Sequence, residues 1–246
     1  MHNIHYLDWP APNNVNACYT LRMGGQSLAP YSSFNLGDHV GDTDTSVIAN
    51  RQQLAHAIGQ RQIPWLQQVH STKVIELPLI RPFTKSDWQA DACFSRQTGQ
   101  VCCIMTADCL PVFFCDPQGH QVAIAHAGWR GLLDGVLENT LAHFDDGQQV
   151  MAYLGPAISQ QAFIVGDEVR VAFVQKNPSF AQYFIPSIEP SKWMGDLYGL
   201  ARATLNHEGV SAIYGAKHCT YSEPDFFFSY RREGVTGRMA NLIWLD

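Results

Sequence analysis

The chain is short of charge: Asp, Glu, Lys and Arg make up 15% of its 246 residues, well under the usual quarter. That deficit points to a large core, an interface, or both. The charge present sums to −6, which excludes nucleic acid and anionic membrane as expected partners, because both need a broadly basic surface. Any basic site must be local. No run approaches the roughly 18 apolar residues of a membrane-spanning helix. The opening Met1–His2–Asn3–Ile4–His5–Tyr6 lacks the basic-then-apolar order of a signal peptide. The seven cysteines form no CxxC pair, so reduced thiols in a cytoplasmic protein are expected. Cys102 and Cys103 read as small core residues of a buried strand. Missing too are HExxH, GxSxG, the His-x-Glu with Pro-Cys-x-x-Cys pattern of zinc deaminases, and any phosphate-loop or dinucleotide signature. No repeat, low-complexity tract or linker divides residues 1–246, so one domain is expected.

What is present is a series of short apolar runs closed by turn residues. Val15–Met23, Ile63–Val69, Val74–Leu77, Ala92–Phe94, Val101–Met105, Val112–Cys115, Val122–Ala125, Val150–Leu154, Ile213–Tyr214, Phe226–Phe228 and Asn241–Trp244 read as strands. Asp116–Pro117–Gln118–Gly119 is a hairpin turn signal. A helix is expected after Asp42–Thr43–Asp44–Thr45, through Val47, Ile48, Leu54 and Ile58, ended by Gly59. Leu132, Leu133, Val136, Leu137 and Leu141 predict one helix of about four turns. Further helices are expected over Asp167–Gln175 and Asp196–Asn206. Strands outnumber helices and several are neighbouring hairpins, so the class is α+β and not a regular βαβ alternation.

Three side chains at the ends of these runs carry the chemistry. His126 closes Val122–Ala125 and opens Ala127–Gly128–Trp129–Arg130–Gly131; Cys109 lies 17 positions upstream and His70 a further 39. Each alone fits a satisfied core or polar residue. Together they could form a His₂Cys metal site with an open fourth position, the arrangement that separates catalytic from structural zinc. The metal stays open between zinc and copper, since His₂Cys also suits a blue-copper centre. A multi-copper oxidase would need further histidines, usually in His-x-His pairs, and none of the ten histidines forms one. Zinc (Zn2+) with hydrolytic or phosphorolytic chemistry is therefore the stronger reading. Beside His126, a Gly-bearing turn entering a helix favours an anion, and Arg130 could bind phosphate bidentately. The run Ser229–Arg238 places three arginines in eight residues, a second candidate anion subsite.

Taken together, Asn35–Leu36–Gly37 with His39 and Gly41–Asp42, Asn50–Arg51, Gln68–Val69–His70, Ala90–Asp91–Ala92, Thr106–Pro111, His126–Gly131, Leu154–Ile158 and the arginine-rich C-terminal run resemble the YfiH family, also called laccase-domain or polyphenol-oxidase-like. The blocks span nearly the whole chain in the family's order; Ser71 after His70 stands where the family usually has Gly. The resemblance implies two packed mixed β-sheets flanked by helices, in α/β/β/α layers, similar to the catalytic domain of cytotoxic necrotizing factors. It implies zinc held by His70, Cys109 and His126. It implies phosphorolysis of purine nucleosides (adenosine, inosine, methylthioadenosine), with adenosine deaminase activity. Some bacterial members instead look like peptidoglycan-editing hydrolases that release L-serine from a UDP-muramyl precursor. On the leading reading, nucleoside and phosphate are the small-molecule partners. Asp108 and Arg130 are expected to be catalytic, with Asn35, His39, Arg51, Arg231 and Arg232 contacting substrate or phosphate. Copper oxidation of phenols, and a non-catalytic binding role, are the remaining alternatives.

Overall fold

The first strands along the chain are β1 (Ile4–Tyr6) and β2 (Val15–Thr20), followed by helix α1 (Asp44–Ala57). Then come β3 (Val74–Glu76), β4 (Ala92–Ser95), β5 (Cys102–Thr106), β6 (Leu110–Cys115) and β7 (Val122–Ala127). Two short helices, α2 (Trp129–Asp134) and α3 (Val136–Leu141), lead to β8 (Met151–Leu154) and β9 (Ile164–Gly166). After α4 (Asp167–Lys176) the chain forms β10 (Phe184–Pro186), β11 (Lys192–Gly195), α5 (Leu197–His207), β12 (Ala212–Gly215), α6 (Tyr230–Glu233) and β13 (Met239–Leu245). The computed structural model describes residues 3–59, 62–79, 84–145 and 149–246.

Period-two alternation sorts the side chains into layers. In β6, Leu110, Val112 and Phe114 face one core while Phe113 and Cys115 face another. In β7, Ala123, Ala125 and Ala127 oppose Val122 and Ile124 in the same way. These strands are central in a six-stranded mixed sheet, ordered β12-β8-β6-β7-β4-β3. Its outer face packs on Leu137 and Leu141 of α3, Val169 and Phe173 of α4, and Leu200, Ala201 and Leu205 of α5. Its inner face meets Cys102, Ile104, Ile243 and Leu245 of a four-stranded sheet, ordered β1-β2-β13-β5. The far face of that second sheet, through Cys18, Cys103, Leu242 and Trp244, is covered by Leu54 of α1. The result is the α/β/β/α layering of an α+β fold. The six-stranded sheet is mixed and the four-stranded sheet wholly antiparallel. Sheets bury both faces here, which is why their strands read as near-continuous apolar runs.

Four sequence expectations need correction. The four-turn helix breaks in two at Gly135, which takes φ +104°, a conformation open to glycine without a Cβ penalty. Residues 63–69 form no strand beyond a lone bridge from Gln67 to Gln89, because their hydrogen bonds go to the ends of other strands, through Gln68 to Met105 and through Val69 to Asp91. Phe226 ends a turn, and Phe227 and Phe228 are buried against Tyr19 and Met239 without a strand ladder. In α1, Ile48 faces solvent and Asn50 is buried instead, donating to Ser27 Oγ, Ser33 O and Asn35 O. A third, small antiparallel sheet, β10-β11-β9, was not anticipated.

Candidate metal centre and its cavity

Strand register assembles the centre. β6 and β7 pair with Pro111 opposite His126 and Leu110 opposite Ala127. One step further brings Cys109 beside Gly128. β4 and β7 pair with Ala92 opposite Ala125, so Asp91 falls beside His126, whose N–H donates to Asp91 O at 2.7 Å. His126 Nδ1 meets Asp91 Oδ1 at 2.9 Å, which turns Nε2 towards Cys109. The same carboxylate, with no exposed surface, accepts from the N–H groups of Val69, His70 and Ser71 at 3.1, 3.0 and 2.6 Å. Those bonds bind the 67–71 segment to the sheet end and set His70 in place at φ +59°. Gln68 secures the segment from its other side, donating to Met105 O at 2.8 Å and accepting from Met105 N at 2.6 Å.

The His70, Cys109 and His126 ligand atoms all lie within 4.8 Å of one another, and among the described residues no other His, Cys, Asp or Glu cluster could hold an ion. Cys109 Sγ is 3.8 Å from His70 Nε2. Metal–ligand distances of about 2.0–2.3 Å around a tetrahedral ion require donors roughly 3.3–3.8 Å apart, so the group fits an ion with little adjustment. A Cβ at Gly128 would meet His70 Cδ2 at 2.9 Å and Cys109 Sγ at 3.0 Å; only glycine leaves the donors their space. The ionisation also fits. Burial pushes the Cys109 thiol up, but His126 beside it and hydrogen bonds from both imidazoles outweigh this and bring it down to about 6. Burial pushes His126 down, yet the Cys109 sulfur and the Asp91 carboxylate hold it up at about 9. The donors thus form a thiolate–imidazolium pair ready to exchange a proton for a cation. With an ion on these donors, Asp91 would be the orienting carboxylate of a carboxylate–histidine–metal arrangement.

These residues open on a cavity of about 470 Å³ lined by His39, Gln68, His70, Met105, Thr106, Ala107, Cys109, His126, Arg130, Tyr230 and Arg238. Of the residues expected to act on substrate, His39 and Arg130 are on its wall. The others lie around it. Asp108, at φ +91°, accepts from Thr220 Oγ1 at 2.6 Å and from Arg231 N at 2.7 Å. Asn35 is buried, and its Oδ1 accepts from Gly37 N and Arg238 N, both at 2.9 Å. Arg51 donates to Leu36 O, faces Asp38 Oδ1 at 3.3 Å and stacks on Trp65 at 4.1 Å. Arg231 donates to Ile164 O, and Arg232 to Thr220 O, Tyr221 O and Phe227 O. Of the arginines in the C-terminal run, Arg238 alone lines the cavity, with its Nη1 donating to Thr236 O and Gly237 O, both at 3.0 Å. Two residues of this candidate site were not singled out from the sequence. Asp91 is a lone acid in the apolar run 90–94, an anomaly that could have marked it. Arg238 was one of three arginines with nothing in the sequence to rank them.

A family model described as multi-copper polyphenol oxidoreductase laccase matches residues 16–246. The Haemophilus influenzae purine nucleoside phosphorylase is 47% identical over 242 residues, covering 97% of this chain and 98% of its own. The Escherichia coli purine nucleoside phosphorylase YfiH is 48% identical over 239 residues, with 96% of each chain covered. A Neisseria meningitidis protein of solved structure, 48% identical, superposes with a TM-score of 0.92 over 99% of both chains. The Bacillus licheniformis hypothetical protein YfiH, 28% identical, gives 0.90 over 100% of this chain and 97% of that one.

Proposed function

The chain belongs to the multi-copper polyphenol oxidoreductase laccase family, the YfiH family in its other name, and from that premise we propose that it is a zinc-dependent purine nucleoside phosphorylase with adenosine deamination as a second activity. The observation that carries this is the composition of one cavity: two guanidinium groups, Arg130 and Arg238, share its wall with the His70–Cys109–His126 donors. Phosphorolysis needs a phosphate dianion held against a sugar that becomes cationic as the glycosidic bond breaks, and pre-aimed charge is the largest available source of rate. Arg130 and Arg238 would hold the phosphate, with Asn35 fixing the Arg238 backbone. His39, whose Nδ1 faces Asp38 Oδ1 at 3.5 Å, would protonate the departing base. Asp108 positions Cys109 through its bonds to Thr220 and Arg231. A zinc ion on the three donors would supply Lewis-acid stabilisation of developing negative charge. The donor set weighs against multi-copper oxidation, since the described residues provide one ion cluster and no His-x-His pair.

Purified protein incubated with adenosine is expected to give ribose 1-phosphate and adenine only when phosphate is present, and some inosine without it. Cys109→Ala is expected to lose bound zinc by elemental analysis and phosphorolysis by roughly a hundredfold or more, at or beyond the upper end seen for outer-shell losses. Release of L-serine from a UDP-muramyl precursor, with no nucleoside turned over, would replace this reading with amide hydrolysis.

A further inference from the structure

A second cleft, of about 530 Å³, adjoins the metal cavity and shares His39 and Gln68 with it; Asp38, Trp65, Leu66, Gln67 and Trp88 complete its lining. The two halves differ in character. The metal cavity carries the guanidinium groups and the ion donors, whereas the neighbouring cleft carries two indoles. One wall is held in place. Trp65 has Arg51 stacked over it at 4.1 Å, and Arg51 is itself anchored on Leu36 O at 3.0 Å and on Asp38 Oδ1 at 3.3 Å. Asp38 is the one acidic group lining the cleft. Its contacts with Arg51 and with His39, the latter at 3.5 Å, both fall on Oδ1. Among the described residues no other side chain engages Oδ2. Asp38 is held down at about 2, mainly by the hydrogen bond with His39, against the opposing effect of burial. It stays an acceptor at any physiological pH.

A cleft lined by two indoles, with one carboxylate acceptor, is suited to a nitrogen heterocycle that offers an N–H on its edge. Resting on the phosphorylase reading, we infer that in the phosphorolytic pose this cleft receives the purine base, with Trp65 and Trp88 beside the ring and Asp38 Oδ2 accepting from its edge, while sugar and phosphate occupy the metal cavity. Adenine offers its exocyclic 6-amino group and hypoxanthine its adjacent N1–H. One carboxylate oxygen can take either, so the same cleft serves both bases. A purine riboside with nothing at C6 offers neither donor. The shared residue His39 then stands at the boundary, where the base leaves the sugar.

Three measurements on the intact, zinc-loaded protein test this. In wild type, kcat/KM is expected to be at least tenfold lower for the C6-unsubstituted riboside than for adenosine or inosine, the loss that follows when a charged acceptor goes unpaired. Asp38→Asn is expected to shrink that preference towards unity. Trp88→Leu is expected to raise nucleoside KM about tenfold with the phosphate KM and zinc content unchanged. Titration of each protein with free adenine, followed by tryptophan fluorescence, reads the cleft without turnover. Binding should quench wild type and weaken about tenfold in both variants. Adenine affinity equal in wild type and in folded variants would overturn the inference, as would a shift in phosphate KM alone. If wild type turns over no purine nucleoside, the phosphorylase reading fails, and the adenine titration still decides the cleft.

Discussion

The Asp91 carboxylate accepts from Val69 N, His70 N, Ser71 N, Ser71 Oγ and His126 Nδ1 while wholly buried. Burial pushes its pKa up, but the His126 hydrogen bond and charge, with the Ser71 donors, prevail and hold it below the usual carboxylate range. A folded-state pKa below the unfolded one adds stability above the unfolded value, and that stability is lost as pH falls through the folded one. Asp91→Asn removes the charge and aims an amide N–H at groups that are themselves donors. Breaking such a buried pair costs about 3–5 kcal/mol. The variant is therefore expected to unfold at markedly lower denaturant at neutral pH, with the difference from wild type narrowing in acid. Equal denaturation midpoints at neutral pH would show that the carboxylate does not hold the 67–71 segment. Two of the three candidate donors, His70 and His126, are bonded to this one residue, and on the zinc reading its variant should also bind zinc at least tenfold more weakly, in line with other losses of a histidine's carboxylate partner.

At the scale of elements, the centre is built from ends: the start of β6, the finish of β7, the approach to β4 and the 67–71 segment bonded to them. Strand ends were legible because period-two apolar runs stop abruptly at Asp108–Cys109 and at His126–Gly128. The convergence of those ends was not, since register depends on pairings between runs far apart in the chain. The small β10-β11-β9 sheet went unread because its strands are only three or four residues long, too short for alternation to show. The helix break at Gly135 was hidden for the opposite reason: the apolar spacing continues across it. Gly128 is a position where an element junction and the site constrain each other. It ends the β7 ladder, caps α2 and faces both His70 and Cys109. Gly128→Ala puts a methyl where neighbours stand at 2.9 and 3.0 Å, so His70 or Cys109 must yield. Its backbone φ of −65° suits alanine, and overpacking of this kind costs about 1–3 kcal/mol. The expected outcome is a folded protein with zinc affinity reduced about tenfold or more, read by competition with a chromogenic chelator. Unchanged affinity would mean the three donors are not held as close as the geometry has them.

At the scale of the whole molecule, two sheets and several distant chain segments deliver a thiolate and an imidazolium to one point, and their ionisation ties ion binding to pH. A metal needs Cys109 as thiolate and His126 neutral at Nε2, while Nδ1–H remains on Asp91. With the thiol at about 6 and the imidazolium at about 9, the metal-free pair is zwitterionic between those values. Zinc binding in that window therefore expels one proton from the pair, taken from His126. Below about 6 it expels two, because Cys109 must also ionise, and above about 9 none. Affinity consequently rises with pH, tenfold per unit across the window from this pair, and flattens above it. Calorimetric titration of zinc into metal-free protein, in buffers of different ionisation enthalpy at pH 7.5, is expected to return close to one proton released by the pair. The release should fall away as the titration is repeated towards pH 10. A release from the pair that stays at zero from pH 6 to 9 would mean that His126 is already neutral without metal, and that Asp91 orients the ring without charging it.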